Sequence, residues 1–195
     1  FVQSFDVPPL SPSIQVAAQG RYLPRGAWGD LQFRHRNIDE VTVELRHIPR
    51  QNMAFWLANG QESVDQRTST KVLELTIPVA NEEDKIMTSF LSLDEHLGEP
   101  EPGLYQILLQ NGGAQATSLL QVSDINLLAK KQEAEEDQPW PQGFDVWALD
   151  MVDLTPLTAV LIEAIRPSGQ VMARCTTARG GHCRLNLPTE DIDKT

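Results

Sequence analysis

Apolar residues recur at every second position through most of this 195-residue chain, and that period restricts it to half-buried β-strands. Val41, Val43 and Leu45 fall on one side of an extended segment, while Thr42, Glu44 and Arg46 fall on the other. Leu73, Leu75 and Ile77 repeat the pattern against Glu74 and Thr76. An antiparallel strand with one face on a core and one in water leaves this signature. The pattern predicts seven strands in the first part, over residues 14–18, 31–36, 41–48, 72–79, 86–93, 104–110 and 115–122, separated by Gly, Pro, Asn and acidic clusters. Seven short strands in about 120 residues argue for a sandwich. Asn111-Gly112-Gly113 suits a tight reversal between the last two, because glycine tolerates positive φ. One stretch departs from the period. Pro49 could start a short helix through Asn59, since Met53, Trp56 and Leu57 stand at i, i+3 and i+4, and this helix, or an extended loop in its place, would bury Trp56 against a sheet edge.

Composition excludes some partners. The net charge of −11 is spread evenly, with 9 basic and 15 acidic residues over 1–123 and 7 basic and 12 acidic over 124–195. Nucleic acid and anionic membrane surfaces select for concentrated Lys and Arg, which this chain lacks. No apolar run approaches the roughly 18–20 residues of a membrane span. The start, FVQSFDVPPL, has neither a basic nor an apolar leader segment. A hydrophobic fraction of 41% is enough for ordinary cores, and the length fits one or two domains.

The second part reads VSDINLLAKK, then FDVWALDMVD, then TAVLIEAIRPSGQVMARCTTARGGHCRLNL. A strand follows the Ser123-Asp124 pair, a second alternates through Asp145-Val146-Trp147-Ala148, and a hairpin surrounds Pro167-Ser168-Gly169-Gln170-Val171. A threonine-rich turn and a final strand close the run. Upstream, GRYLPRG (20–26) precedes Asn37-Ile38-Asp39-Glu40-Val41, and PGLYQILL (102–109) leads into the Asn111-Gly112-Gly113 hairpin. In this order the motifs resemble bacterial α2-macroglobulin-like proteins, the extracytoplasmic protease traps built from repeated β-sandwich domains. The resemblance implies an all-β fold of two consecutive antiparallel macroglobulin sandwiches, residues 1–123 and 124–195. The second supplies about five strands where family sandwiches have seven, so it is expected to be truncated at its C-terminal end. The family's functional parts do not transfer. Its thioester needs a Cys-x-Glu-Gln run that does not occur here, and no bait region is recognisable.

Cys175 and Cys183 flank the turn TTARGGH. If a hairpin centres on Arg179 they face each other across its strands, and a disulfide is the leading expectation, as suits an oxidising compartment. Free thiols and a metal pair with His182 are the alternatives, the last disfavoured because His182 and Cys183 point to opposite faces of a strand. His35, His47 and His96 read as surface or strand-edge residues. The acidic stretch 132–143, with two prolines and Trp140, reads as an exposed connector or a partner-binding loop. There is no G-x-S-x-G, HExxH, P-loop or GxGxxG motif. Asp150 with Asp153, or Glu163 with Asp145, could be imagined as a glycosidase pair, but Asp150 and Asp153 fall on opposite faces of a strand and read as solvent-facing charge at its end. Glu82-Glu83-Asp84 could ligate Ca²⁺ but lacks EF-hand spacing.

No catalytic, cofactor-binding or metal-ligating residue is therefore assigned, no cofactor is expected, and the chain is not expected to be an enzyme. The expected role is a scaffold in a protease-trapping inhibitor of the periplasm or cell envelope. Its partners would be neighbouring domains of the same parent, target proteases through the whole parent, and envelope proteins, with no nucleic acid and no membrane span. Two rivals are an Ig-like adhesin array and a carbohydrate-binding module, the latter requiring exposed aromatics on one sheet face. Trp28, Trp56, Trp140 and Trp147 are scattered, and Trp147 is expected in a core or between domains.

Overall fold

The computed structural model describes residues 8–17, 22–58, 68–132 and 143–188. The chain divides into two units, residues 1–48 with 69–122, and residues 49–68 with 123–195. The segment around the predicted helix thus groups with the second unit.

The first unit contains β1 (Ser13–Val16), β2 (Tyr22–Leu23), β3 (Asp30–Arg36), β4 (Glu40–Ile48), β5 (Thr70–Pro78), β6 (Met87–Ser92), β7 (Gly103–Asn111) and β8 (Ala114–Val122). All seven predicted strands are present, with bounds displaced by at most two residues. The two-residue β2, which pairs in parallel with β8, is too short to leave a period in the sequence. Strands β1-β3-β6 form one sheet, and β2-β8-β7-β4-β5 form the other.

Ile14, Leu31, Phe33 and Leu91 from the first sheet share one core with Val41, Val43, Leu45, Ile107, Leu109 and Leu120 from the second. Alternation selects these side chains, and burying each contributes about 1.5–3 kcal/mol. The edge strand β5 carries a register irregularity at Leu45/Arg46 of its partner, an exposed Lys71 and a terminal Pro78, features that discourage pairing with a further strand.

Two turns are tied together at one end of this sandwich. Asn37 Nδ2 donates to Asp84 Oδ1 at 2.8 Å, and the Asp84 N–H donates to Asn37 Oδ1 at 2.7 Å. The Leu10 N–H donates to the same carboxylate at 2.7 Å. Both residues have positive φ, 53° and 60°, which Asn and Asp tolerate better than other side chains.

The second unit contains α1 (Arg50–Ala58), β9 (Ile125–Lys131), β10 (Gly143–Asp150), β11 (Leu161–Ile165), β12 (Val171–Thr176) and β13 (His182–Asn186). The helix expected after Pro49 is present, but of its apolar trio only Trp56 is buried, while Leu57 is 58% exposed. One sheet has the order β13-β10-β9, and the other pairs β11 with β12, all antiparallel. Val146, Ala148, Ile162, Cys183 and Leu185 are the buried core between them. The fold is all-β, and the described residues add two short α-helices, the second being α2 (Leu93–Leu97) in the first unit. Much of the stretch 132–143, including Trp140, lies outside the described residues, as do Gly20-Arg21 and residues 189–195.

Candidate functional site

Cys175 and Cys183 are joined in a disulfide with Cα atoms 5.9 Å apart. The bridge is not the cross-strand pair of one hairpin that the spacing suggested. Cys175 lies on β12, which pairs with β11, whereas Cys183 lies on β13, which pairs with β10. The bond therefore staples one sheet of the second unit to the other.

The cause is Thr177, 3% exposed. Its N–H donates to the Val160 carbonyl and its carbonyl accepts from the Ala159 N–H, at 2.9 and 2.8 Å. Its hydroxyl donates to the Leu157 carbonyl at 2.8 Å and accepts from the Val160 N–H at 2.9 Å. These bonds turn the chain away from a β12–β13 ladder. A tight loop follows, closed by Ala178 N–H to the His182 carbonyl at 2.9 Å, and β13 enters the other sheet. Gly181 is required there. Its φ is +72°, and a Cβ would stand 2.5 Å from the Ala148 carbonyl oxygen.

The imagined carboxylate pairs are built into structure instead. Asp150 Oδ1 accepts from the N–H groups of Val152 and Asp153, and Asp153 Oδ1 accepts from Thr155 at 2.9 Å. Its backbone bond to Thr155 holds the Asp153 carboxyl below the usual range. Glu163 accepts from Arg174 Nε at 2.8 Å and from Arg50 Nη2 at 2.5 Å. Each oxygen of the Glu163 carboxylate is thus taken up by one guanidinium group. In the acidic cluster, Glu82 pairs with Lys85, and Asp84 has the turn role already described. The hydrogen bond from Asn37, then that from the Leu10 N–H, lowers the Asp84 pKa. Among the described residues, no group of three His, Cys, Asp or Glu side chains could hold a metal ion.

One histidine differs from expectation. His35 is 1% exposed, at an inward position of β3 that flanking basic residues disguised in the sequence. His47 is half-buried near the end of β4, and among the described residues its buried Nε2 has no hydrogen-bond partner. The His47 ring lies 4.8 Å from Tyr105, which in turn lies 4.9 Å from Trp28. Tyr105 donates its hydroxyl to the Glu101 carbonyl at 2.8 Å, four residues upstream. Burial is the main reason its pKa is pushed up to about 12. This ring stack, with Trp28 only 2% exposed, closes one end of the first core. His96 is exposed on α2, as expected of a surface residue.

Trp147 does not join the second core. It lies on the opposite face of β10 from Val146 and Ala148, with its ring 5.0 Å from that of His182. His182 Nε2 also bonds to Asp145 Oδ1 at 2.9 Å. Leu128 stands across from Trp147 in register and is 52% exposed. His182 and Asp145 form a dyad, but its partners among the described residues include no hydroxyl or thiol nucleophile. Trp28 and Trp56 are buried, so the described residues present no row of aromatics on one sheet face. An open hollow of about 550 Å³ in the first unit is lined by Glu40, Thr42, Gln110, Asn111, Gly112 and Gln115, among others. It lacks both the aromatic platform that stacks sugars and the cations that hold phosphate.

No protein-family model matches this sequence, and no curated protein is similar to it in sequence. Solved structures do share its fold. A crystal structure of native alpha-2-macroglobulin from Escherichia coli spanning domains NIE-MG1 aligns at TM-score 0.68 and 15% identity, covering 91% of this chain and 88% of that one. A longer Escherichia coli fragment, spanning MG0-NIE-MG1, aligns at TM-score 0.70 and 16% identity over 92% of this chain and 59% of that one. Salmonella alpha-2-macroglobulin reacted with methylamine aligns at TM-score 0.65 and 16% identity over 93% of this chain. This chain spans only 11% of that Salmonella chain. The resemblance carried by the sequence motifs holds at the level of fold: the chain is built like bacterial alpha-2-macroglobulin domains.

Proposed function

We propose that this chain is a framing segment of a bacterial alpha-2-macroglobulin-like protein that entraps proteases in the cell envelope. One observation carries the reading. The alignment with a fragment of the Escherichia coli protein that spans domains NIE-MG1 covers 91% of this chain. The bonding supports a structural rather than a chemical role. The carboxylates considered as catalytic pairs are committed to turns, to arginine clamps or, for Asp145, to His182, and the two cysteines are consumed in a disulfide.

A sandwich with an interdigitated core resists deformation. In this reading, cleavage elsewhere in the parent drives the rearrangement that encloses a protease. These units keep their shape and act through neighbouring domains of the same parent, without catalysis. A disulfide between sheets suits the oxidising conditions of a periplasm.

The test mixes the full-length parent with a broad protease such as elastase. Residual activity is followed on a small chromogenic peptide and on a large protein substrate. Loss of activity on the large substrate alone is the expected result. Equal retention on both would remove protease trapping and leave an adhesin-like envelope scaffold in its place.

A further inference from the structure

His35 occupies an inward position on β3 in line with Leu31 and Phe33, where an apolar side chain would serve the packing. Its Nε2 hydrogen-bonds with Ser89 Oγ on β6 at 2.9 Å, and the Phe33 ring lies 5.8 Å away. Its Nδ1 is buried and has no hydrogen-bond partner. A neutral imidazole tolerates this arrangement, because one ring nitrogen carries no proton. An imidazolium does not. It has N–H groups on both nitrogens and a full charge, so it needs a second acceptor and a counter-ion.

Among the described residues, the surroundings supply neither. On β1, the facing strand residues Ser13, Ile14, Gln15 and Val16 include no titratable group, and neither do Met87, Thr88 and Ser89 of β6. On β3 itself, Arg34 and Arg36 lie on the opposite face, and Arg36 donates to the Ser11 carbonyl. The opposing sheet contributes the apolar Val41, Val43, Ile107 and Leu109 to this core. The carboxylate at that end of the sandwich, Asp84, is held by Asn37 and the Leu10 N–H.

We propose that His35 makes the first sandwich acid-sensitive, so that acidification below about pH 6 loosens its three-stranded sheet while carboxylates remain ionised. The sign follows from linkage. Desolvation lowers the folded-state pKa of His35 from its ordinary 6.5. Stability is therefore full above 6.5 and is lost as pH falls toward the folded value, because the unfolded chain binds the proton first. Between pH 7 and pH 5 the opening constant of this unit rises by up to about 25-fold from this one residue. The lowered pKa of Asp84 acts in a separate window, below its ordinary 3.8.

Native-state hydrogen exchange on the whole chain at pH 7 and pH 5, corrected for intrinsic amide chemistry, tests the proposal. The β3 and β6 amides of the unsubstituted protein should open more readily at pH 5 by up to about 25-fold. His35→Gln, which keeps a partner for Ser89, should remove most of that rise. An equal rise in both proteins would overturn the proposal. Should His35→Gln fail to fold, imidazole NMR of the unsubstituted protein decides. A neutral His35 ring in the folded protein at pH 5.5 supports the device, and a ring that titrates near 6.5 without loss of protection refutes it.

Discussion

Removing the Cys175–Cys183 bridge should unfold the second unit selectively. A loop of eight residues gives a chain-entropy contribution of about 2.5 kcal/mol at 25 °C. That is a large share for this unit, whose described core holds five buried side chains against fifteen in the first. For a domain of 60–100 residues it corresponds to a fall in Tm of roughly 10–20 °C. The assay compares the oxidised chain with Cys175→Ala/Cys183→Ala, using thermal unfolding together with hydrogen exchange resolved by strand. Because the bridge joins two sheets, amides of β10 and β13 should lose protection together with those of β11 and β12, while β4 and β7 keep theirs. Fraying confined to residues 176–182 would mean the bridge only ties off a hairpin. A shift in the first unit of the same size would refute the selective staple.

Three further changes probe individual contacts. Thr177→Val should destabilise the second unit by about 1–3 kcal/mol in urea unfolding, because it leaves the part-buried Leu157 carbonyl and Val160 N–H without their hydroxyl partner. Gly103→Ala places a Cβ 2.5 Å from His47 Nε2, in a ring held by Tyr105, and should cost about 1–3 kcal/mol. Most of that loss should vanish in a His47→Ala background, as a double-mutant cycle would record. Tyr105 has a raised folded-state pKa, so its contribution is full below pH 10 and lost as pH rises through about 12. Alkaline unfolding of the first unit should therefore track the appearance of tyrosinate absorbance, and Tyr105→Phe should weaken that dependence.

The strands of the first unit were legible because burial on one face imposes a period of two, and β3 and β4 keep it nearly from end to end. The Asn111-Gly112-Gly113 reversal was legible for a local reason: the register pairs Asn111 with Ala114 across two glycines. What sequence could not convey was partnership at a distance. The run from Cys175 to Cys183 has the length of a hairpin, but Thr177 bonds to residues 157–160, and no local pattern reports that. His35 was masked in the same way. Arginines beside it mark a wet face, yet alternation places the histidine itself on the dry one. Trp147 was ambiguous for the opposite reason, since a large apolar ring on a half-buried strand fits either face until its neighbours are known. Asp150 and Asp153 read as structural charge from the sequence, but the backbone N–H groups that hold them were not legible there.

The central claim is that these units are frame rather than bait. Hydrogen exchange of the full-length parent, before and after it is cut by a protease, tests this most directly. The account predicts that amides of Val41, Val43, Leu45, Ile107 and Leu109 keep their protection after cleavage, with no cut inside β3–β8 or β10–β13. Loss of that protection, or cleavage within those strands as the trapping event, would contradict it.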